Sequence, residues 1–171
     1  MSGGGRAVIV PSFKSLSIGA WCMLLAASVA ATEVATPPAV DYSALPPLGH
    51  LWRDTNPYRN LPEALPIGRS AFNQSCARCH GADAATNAAP APDLRNLDRG
   101  CRRIADTALK ARCMADNDAY FAKTVRDGKI IIGVVHMPPW GEVLAQELAW
   151  AIQAFIEVQA RTTPIRPGVG K

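Results

Sequence analysis

The clearest periodicity lies near the carboxyl end. Leu144, Leu148, Ile152 and the Phe155–Ile156 pair recur at helical spacing, while Gln146, Glu147, Gln153 and Glu157 fall on the other side. This predicts an amphipathic helix whose polar side meets solvent. Ala145 stands where a Ser or Asp cap is expected, so this helix starts without a side-chain acceptor for its orphan amides. A second helix is predicted from Pro66 to Cys76. Pro66 suits an early helical position, and Ile67 with Ala71, like Gly68 with Phe72, shares a face. Gly68 lowers helix propensity but lets another helix come close, with Trp150 and Phe155 as its expected neighbours. A weakly periodic short helix covers 104–112. The next is expected to start at Asp116-Asn-Asp118, to carry Phe121 and Val125 on one face, and to stop at Gly128. Ile130-Ile-Ile132 is too short for a core sheet once Gly133 interrupts it. Pro138 and Pro139 forbid an ordinary helix through that point.

The first thirty residues read differently. Arg6 and Lys14 are the only charges before Glu33, Ile18 to Ala27 is an apolar stretch, and Ser28-Val-Ala30 has the small residues of a cleavage site. The expectation is an export signal removed after Ala30. An uncleaved anchor is the rival, but the run is near the lower limit for a bilayer and no basic stop follows it. A lipidated Cys22 is disfavoured by bulky Trp21. Residues 31–64, with Pro37, Pro38, Pro46, Pro47, Pro57 and Pro62, read as an extended arm. Trp52 and Tyr58 are expected to pin it to the domain, with Leu48, Leu51 and Leu61 to bury. The organisation is therefore a cleavable signal over 1–30, an arm over 31–64, one compact domain over 65–160 and a tail over 161–171.

Composition narrows the function classes. A chain of 171 residues with fourteen prolines and thirteen glycines suits one compact domain, and 49% apolar residues exclude a wholly disordered one. A net charge of +4 makes no case for a nucleic-acid partner. Two long helices and short pieces leave a thin core, with room for something large and apolar.

Past the export segment four cysteines remain. Cys76-Ala-Arg-Cys79-His80 has the Cys-x-x-Cys-His spacing of a c-type haem attachment sequence. Thiols at i and i+3 reach neighbouring vinyl groups on one porphyrin edge, and the adjacent imidazole is presented to the iron. A thioredoxin-like dithiol would instead follow a strand in a βαβ unit, which these surroundings lack. The sixth ligand is expected from Met137, in the stiff segment Val135-His-Met-Pro-Pro139. A thioether favours Fe(II) and raises the potential above that of a second imidazole. His136 is the competitor, but adjacent residues of an extended chain point opposite ways. Met114 reads as a gap-filling core residue and His50 as an ordinary residue of the arm.

Three further residues stay open at this level. The Pro92 carbonyl, on a restrained loop, is a candidate to orient His80, or Pro92 is a plain loop proline. Arg95 and Trp140 are candidate partners of a haem propionate, or surface and packing residues. Cys101 and Cys113, twelve positions apart in an oxidising compartment, are expected to form a disulfide that staples an insertion.

These motifs resemble the class I cytochromes c, and more closely the periplasmic cytochrome c-550 (PedF type) associated with quinoprotein alcohol dehydrogenases. The resemblance runs from about Asn56 to Glu157. It rests on Asn56-Pro-Tyr58, Ile67 to Gly81, Ala91-Pro-Asp-Leu94, Val125-Arg-Asp-Gly128, Met137-Pro-Pro139 and Trp150 to Phe155. It implies an all-α class I cytochrome c fold around one covalently attached haem c, with the stapled insertion and the extended arm. Cys76 and Cys79 would hold the haem, His80 and Met137 would be axial ligands, and Pro92 would orient His80. Gly68 and Phe72 would meet Phe155 where the terminal helices cross.

The function implied is a soluble monomeric electron carrier of the periplasm, not an enzyme. It would accept electrons from a pyrroloquinoline quinone alcohol dehydrogenase and pass them to a terminal oxidase or another cytochrome. A haem enzyme or gas sensor with a displaceable sixth ligand, or a subunit of a sulfur-oxidising complex, are the alternatives. Segment 95–112 carries Arg95, Arg99, Arg102, Arg103, Lys110 and Arg112 against Asp98 and Asp106, a balance that would suit an acidic partner.

Overall fold

A computed structural model describes residues 1, 3, 4, 34–85 and 91–162. The chain divides into two units, Met1–Ala31 and Thr32–Lys171. The export segment, apart from its first few residues, and the tail from residue 163 lie outside the described residues. Among the described residues no helix is long and apolar enough to cross a membrane.

The second unit is built on two crossed helices, α1 (Ala64–Ser75) and α5 (Gln146–Thr162). Ala64, Gly68, Ala71 and Phe72 of α1 are buried, four and three positions apart as one helical face requires. Pro66 is the third residue of α1, where its missing amide would have had no intrahelical partner. At the crossing Gly68 lies so close to α5 that a methyl group there would overlap the Ala151 carbonyl. Phe72 and Phe155 pack beside it with ring centroids 5.7 Å apart, inclined at 54°.

The polar side of α5 is not open to solvent. Gln146, Gln153 and Glu157 are buried and Glu147 is half-buried. The arm covers them, since an extended proline-rich chain has backbone donors and acceptors that no ladder uses. Leu48 N donates to Glu147 Oε1 (2.7 Å), Arg53 N to Gln146 Oε1 (3.2 Å), and Gln146 Nε2 to Gly49 O (2.6 Å) and Leu51 O (3.0 Å). Leu45 and Tyr58 are buried and Trp52 packs on Trp150, their centroids 6.4 Å apart; Leu51 is instead 86% exposed.

A buried polar cluster completes this seam. Asn56 Nδ2 donates to Trp150 O (3.0 Å) and Gln153 Oε1 (2.9 Å), and Asn56 N to Asp118 Oδ2 (3.1 Å). Arg59 bridges Asp118 and Glu157, the latter through Nε at 2.9 Å and Nη2 at 3.0 Å. Burial raises the Glu157 carboxyl above its ordinary value although Arg59 works against this, and Asp98 and Asp118 add to the rise.

The helices expected at 104–112 and from 116 are one. Asp106 accepts from Leu109 N (2.7 Å) and starts a 21-residue helix, α4 (Thr107–Asp127). Cys113, Met114 and Ala115 continue it, and Asp118 is not a cap but a buried partner of Arg59 and Gln153. The disulfide Cys101–Cys113, with Cα atoms 5.5 Å apart, ties α4 to the one-turn helix α3 (Arg99–Arg102). The all-α expectation needs one amendment. Strands β1 (Lys129–Ile131) and β2 (Val134–Met137) form a two-stranded antiparallel ribbon. Ile130-Ile-Ile132 belongs to this exposed ribbon and not to the core.

Candidate cofactor site

Cys76 ends α1, its amide donating to Phe72 O (2.7 Å). Its own carbonyl accepts from Cys79 N (3.2 Å) and His80 N (2.9 Å), which closes the single turn α2 (Ala77–His80). Both thiols are outside the disulfide, and Cys76 packs against the main apolar cluster. Burial pushes the Cys76 thiol up to about 12, with Cys79 adding to the effect.

The loop after the motif is tied down at two places. Asp83, with φ of 55°, accepts from Arg69 Nε (2.8 Å) and Nη2 (2.9 Å) and from Asn73 Nδ2 (2.6 Å). Its backbone amide returns a bond to Asn73 Oδ1 (2.9 Å), and Gln159 of α5 donates to its carbonyl (2.8 Å). Arg69 and Asn73 hold the Asp83 carboxyl down at about 2. Asp83 was not legible as a site residue: Arg69 and Asn73 are one turn apart on α1, but nothing in the spacing names their partner.

The second tie orients the histidine. Ala91 N donates to Cys79 O (3.3 Å), and the next carbonyl, of Pro92, lies 3.0 Å from His80 Nδ1. Asp93 then caps the short 3₁₀ turn Leu94–Asn96 by accepting from Arg95 N (3.0 Å). Its carboxylate also grips the Arg95 guanidinium through Nε (3.0 Å) and Nη2 (2.7 Å). Burial works to raise the Asp93 carboxyl, and the bonds from Arg95 outweigh it, so the net direction is down. Arg95 is thus buried and paired with Asp93, and its first role is to fix the loop that carries Pro92.

Met137 and Trp140 are placed by the end of α4. Trp140 N donates to Val125 O (2.9 Å) and Gly141 N to Arg126 O (3.1 Å). Gly128, with φ of 70°, ends α4 so close to this segment that a Cβ would strike Met137 O, Pro138 and Pro139. Trp140 is buried in the apolar cluster, and Met137 packs against that same cluster, as Cys76 does. Simple alternation does not hold for His136. Lys129 pairs with Met137 and Ile130 with Val135, so His136 is the extra residue of a bulge and is exposed. His50 is exposed as well. Of the basic segment, Arg95 and Arg102 are spent on Asp93 and Asp98, whereas Arg99, Arg103, Lys110 and Arg112 stay at the surface.

The donor set suits an iron porphyrin. Two thiols stand three residues apart, one imidazole has its Nδ1 engaged by a carbonyl and its Nε2 left as donor, and a thioether sits on a rigid segment. A family model described as cytochrome c oxidase, cbb3-type, subunit III matches residues 63–156. Cytochrome c550 of Pseudomonas aeruginosa is 42% identical over 126 residues, which cover 71% of this chain and 77% of that protein. No solved structure gives a significant match.

Proposed function

The chain belongs to the c-type cytochromes, a family of haem c electron-transfer proteins, and from that premise we propose that it is a one-electron carrier of the periplasm. Cys76 and Cys79 would hold one haem covalently, and His80 and Met137 would ligate its iron. When bound, the haem supplies an iron that takes up and releases a single electron. The chain's own residues do the rest. Pro92 keeps the His80 ring in one tautomer, and the Asp93–Arg95 clamp holds Pro92 in place. The contacts from Val125, Arg126 and Gly128 hold the Met137 segment in place, which would keep its thioether available to the iron. Trp140 and Arg95 are the proposed neighbours of a propionate.

The observation that carries this reading is the 3.0 Å contact of His80 Nδ1 with Pro92 O, because an imidazole anchored through Nδ1 presents Nε2 as a ligand. The donor is proposed to be a pyrroloquinoline quinone alcohol dehydrogenase of the PedF-type systems, and the acceptor a terminal oxidase or another cytochrome.

Purification from the periplasm tests this. The haem should survive acidic organic extraction, and ferrous protein should show no rapid binding of carbon monoxide. Met137→Ala should keep the haem, lose the methionine-to-iron absorption band and lower the potential. Loss of the haem on extraction would refute the cofactor assignment. Immediate carbon monoxide binding by the unaltered protein would favour a sensor or enzyme instead. The donor assignment requires reduction by the purified dehydrogenase with its alcohol.

A further inference from the structure

The β1–β2 ribbon carries Ile130, Ile131, Ile132, Val134 and Val135, and all five are exposed, Ile132 at 98%. A stretch of aliphatic residues facing water is not explained by folding. The register divides it. Lys129, Ile131, Val134 and Met137 share one face, and Ile130 and Val135 lie on the other. Of the aliphatic residues, the pair Ile131 and Val134 shares Met137's side. The second pair and the tip are left over.

The tip is also strained. Ile132 has φ of 50° and is followed by Gly133 at 75°, so both turn residues are left-handed. Such turns favour Asn-Gly, and a β-branched residue there is a rare outlier that lowers stability. Strain of this kind is retained where a side chain is needed at that spot for another purpose.

Charge indicates what covers the patch. Residues 99–129, which lead through α3 and α4 into the ribbon, hold eight basic and four acidic side chains. The other residues from 31 onward hold eight basic and ten acidic ones. The positive excess therefore lies along the elements that end at the ribbon. Lys123, Arg126 and Lys129 stand at its base, with Asp127 between the first two. An apolar tip beside a cationic base is complementary to an apolar pocket rimmed by carboxylates.

We propose that Ile132 and the outward pair Ile130–Val135 seat an electron-transfer partner protein whose docking surface is such an acid-rimmed apolar pocket. This rests on the carrier reading above and adds where the partner sits. The test uses the haem-loaded protein and Ile132→Asn, which removes the aliphatic tip while easing the left-handed turn. Electron transfer is followed by stopped flow from purified quinoprotein alcohol dehydrogenase and into oxidase-containing membrane vesicles, with ferricyanide as a small-molecule control.

Ile132→Asn is expected to melt at the same or a higher temperature and to react with ferricyanide unchanged. Its second-order rate with at least one protein partner should fall about tenfold or more, and added salt should slow the unaltered protein. Equal rates for both forms with every partner that reacts would overturn the proposal. So would ferricyanide reaction without transfer to or from either partner, an outcome that leaves the redox site itself intact. Ile132-dependent binding to protein-free phosphatidylglycerol vesicles would assign the patch to a lipid surface, and Ile132-dependent dimerisation in sedimentation would assign it to a second copy; both would also overturn it.

Discussion

His80 and Pro92 are joined by a side-chain to backbone contact of 3.0 Å, and the carbonyl that makes it is held by Ala91 on one side and by Asp93 with Arg95 on the other. A ligating imidazole that donates its second N–H is a stronger base and favours the more positive iron. Asp93→Ala frees Arg95 and loosens Pro92. The variant is expected to keep its covalent haem and to show a higher reduction potential. Redox titration beside a pyridine haemochrome assay checks both, and an unchanged potential would show that the clamp does not act on His80.

Gly68→Ala is expected to destabilise the protein by about 3 kcal/mol, because the added methyl meets backbone and not a flexible side chain. Urea unfolding of the two forms measures it. A loss below about 1 kcal/mol, the propensity gain included, would mean that the helices can separate at little cost.

Arg59→Leu leaves Asp118 and Glu157 buried without their cation. Breaking a buried pair in this way costs about 3–5 kcal/mol. The sign of its pH dependence follows from Glu157. Its folded value is already raised from 4.5, so the folded state binds the proton more tightly and stability falls as pH rises through that window. Without Arg59 the rise is larger, and the variant should be weaker at pH 7 than at pH 4.5 relative to the unaltered chain. Unfolding midpoints at the two pH values decide it.

Asp83 acts in the opposite sense. Its folded value of about 2 lies below the ordinary 3.8, so its contribution is present above 3.8 and is lost as pH falls toward 2. The carboxylate is a third exposed, so water screens it and the contribution is at most about 1 kcal/mol. Asp83→Asn should therefore be slightly less stable at pH 6, with the gap closing near pH 2. A gap independent of pH would assign the effect to the turn and not to the charge.

Much of this was legible from local pattern. The Cys76–His80 spacing, the Gly68 crossing with Phe72 and Phe155 close by, and the Cys101–Cys113 pair all follow from residues whose chemistry admits few partners. The polar side of α5 was not. Gln153 and Glu157 have the spacing of a solvated face, and only the return of a distant arm turns them into buried acceptors. The length of α4 was missed for a related reason. Asp116 and Asp118 look like caps, yet Asp106 takes that role and Asp118 is committed to long-range partners. The ribbon was hidden because its aliphatic run has no polar alternation to mark a strand.

The Asn56–Arg59 cluster bears on where this domain begins. The stretch shared with the family model starts at residue 63, after both of those side chains. A polypeptide started there would keep every proposed haem ligand yet uncover Asp118 on α4 and Gln153 and Glu157 on α5. The smallest stable unit therefore reaches upstream of the stretch that the family model matches, and shortening the chain to that stretch should weaken the fold while leaving the chemistry of the site intact.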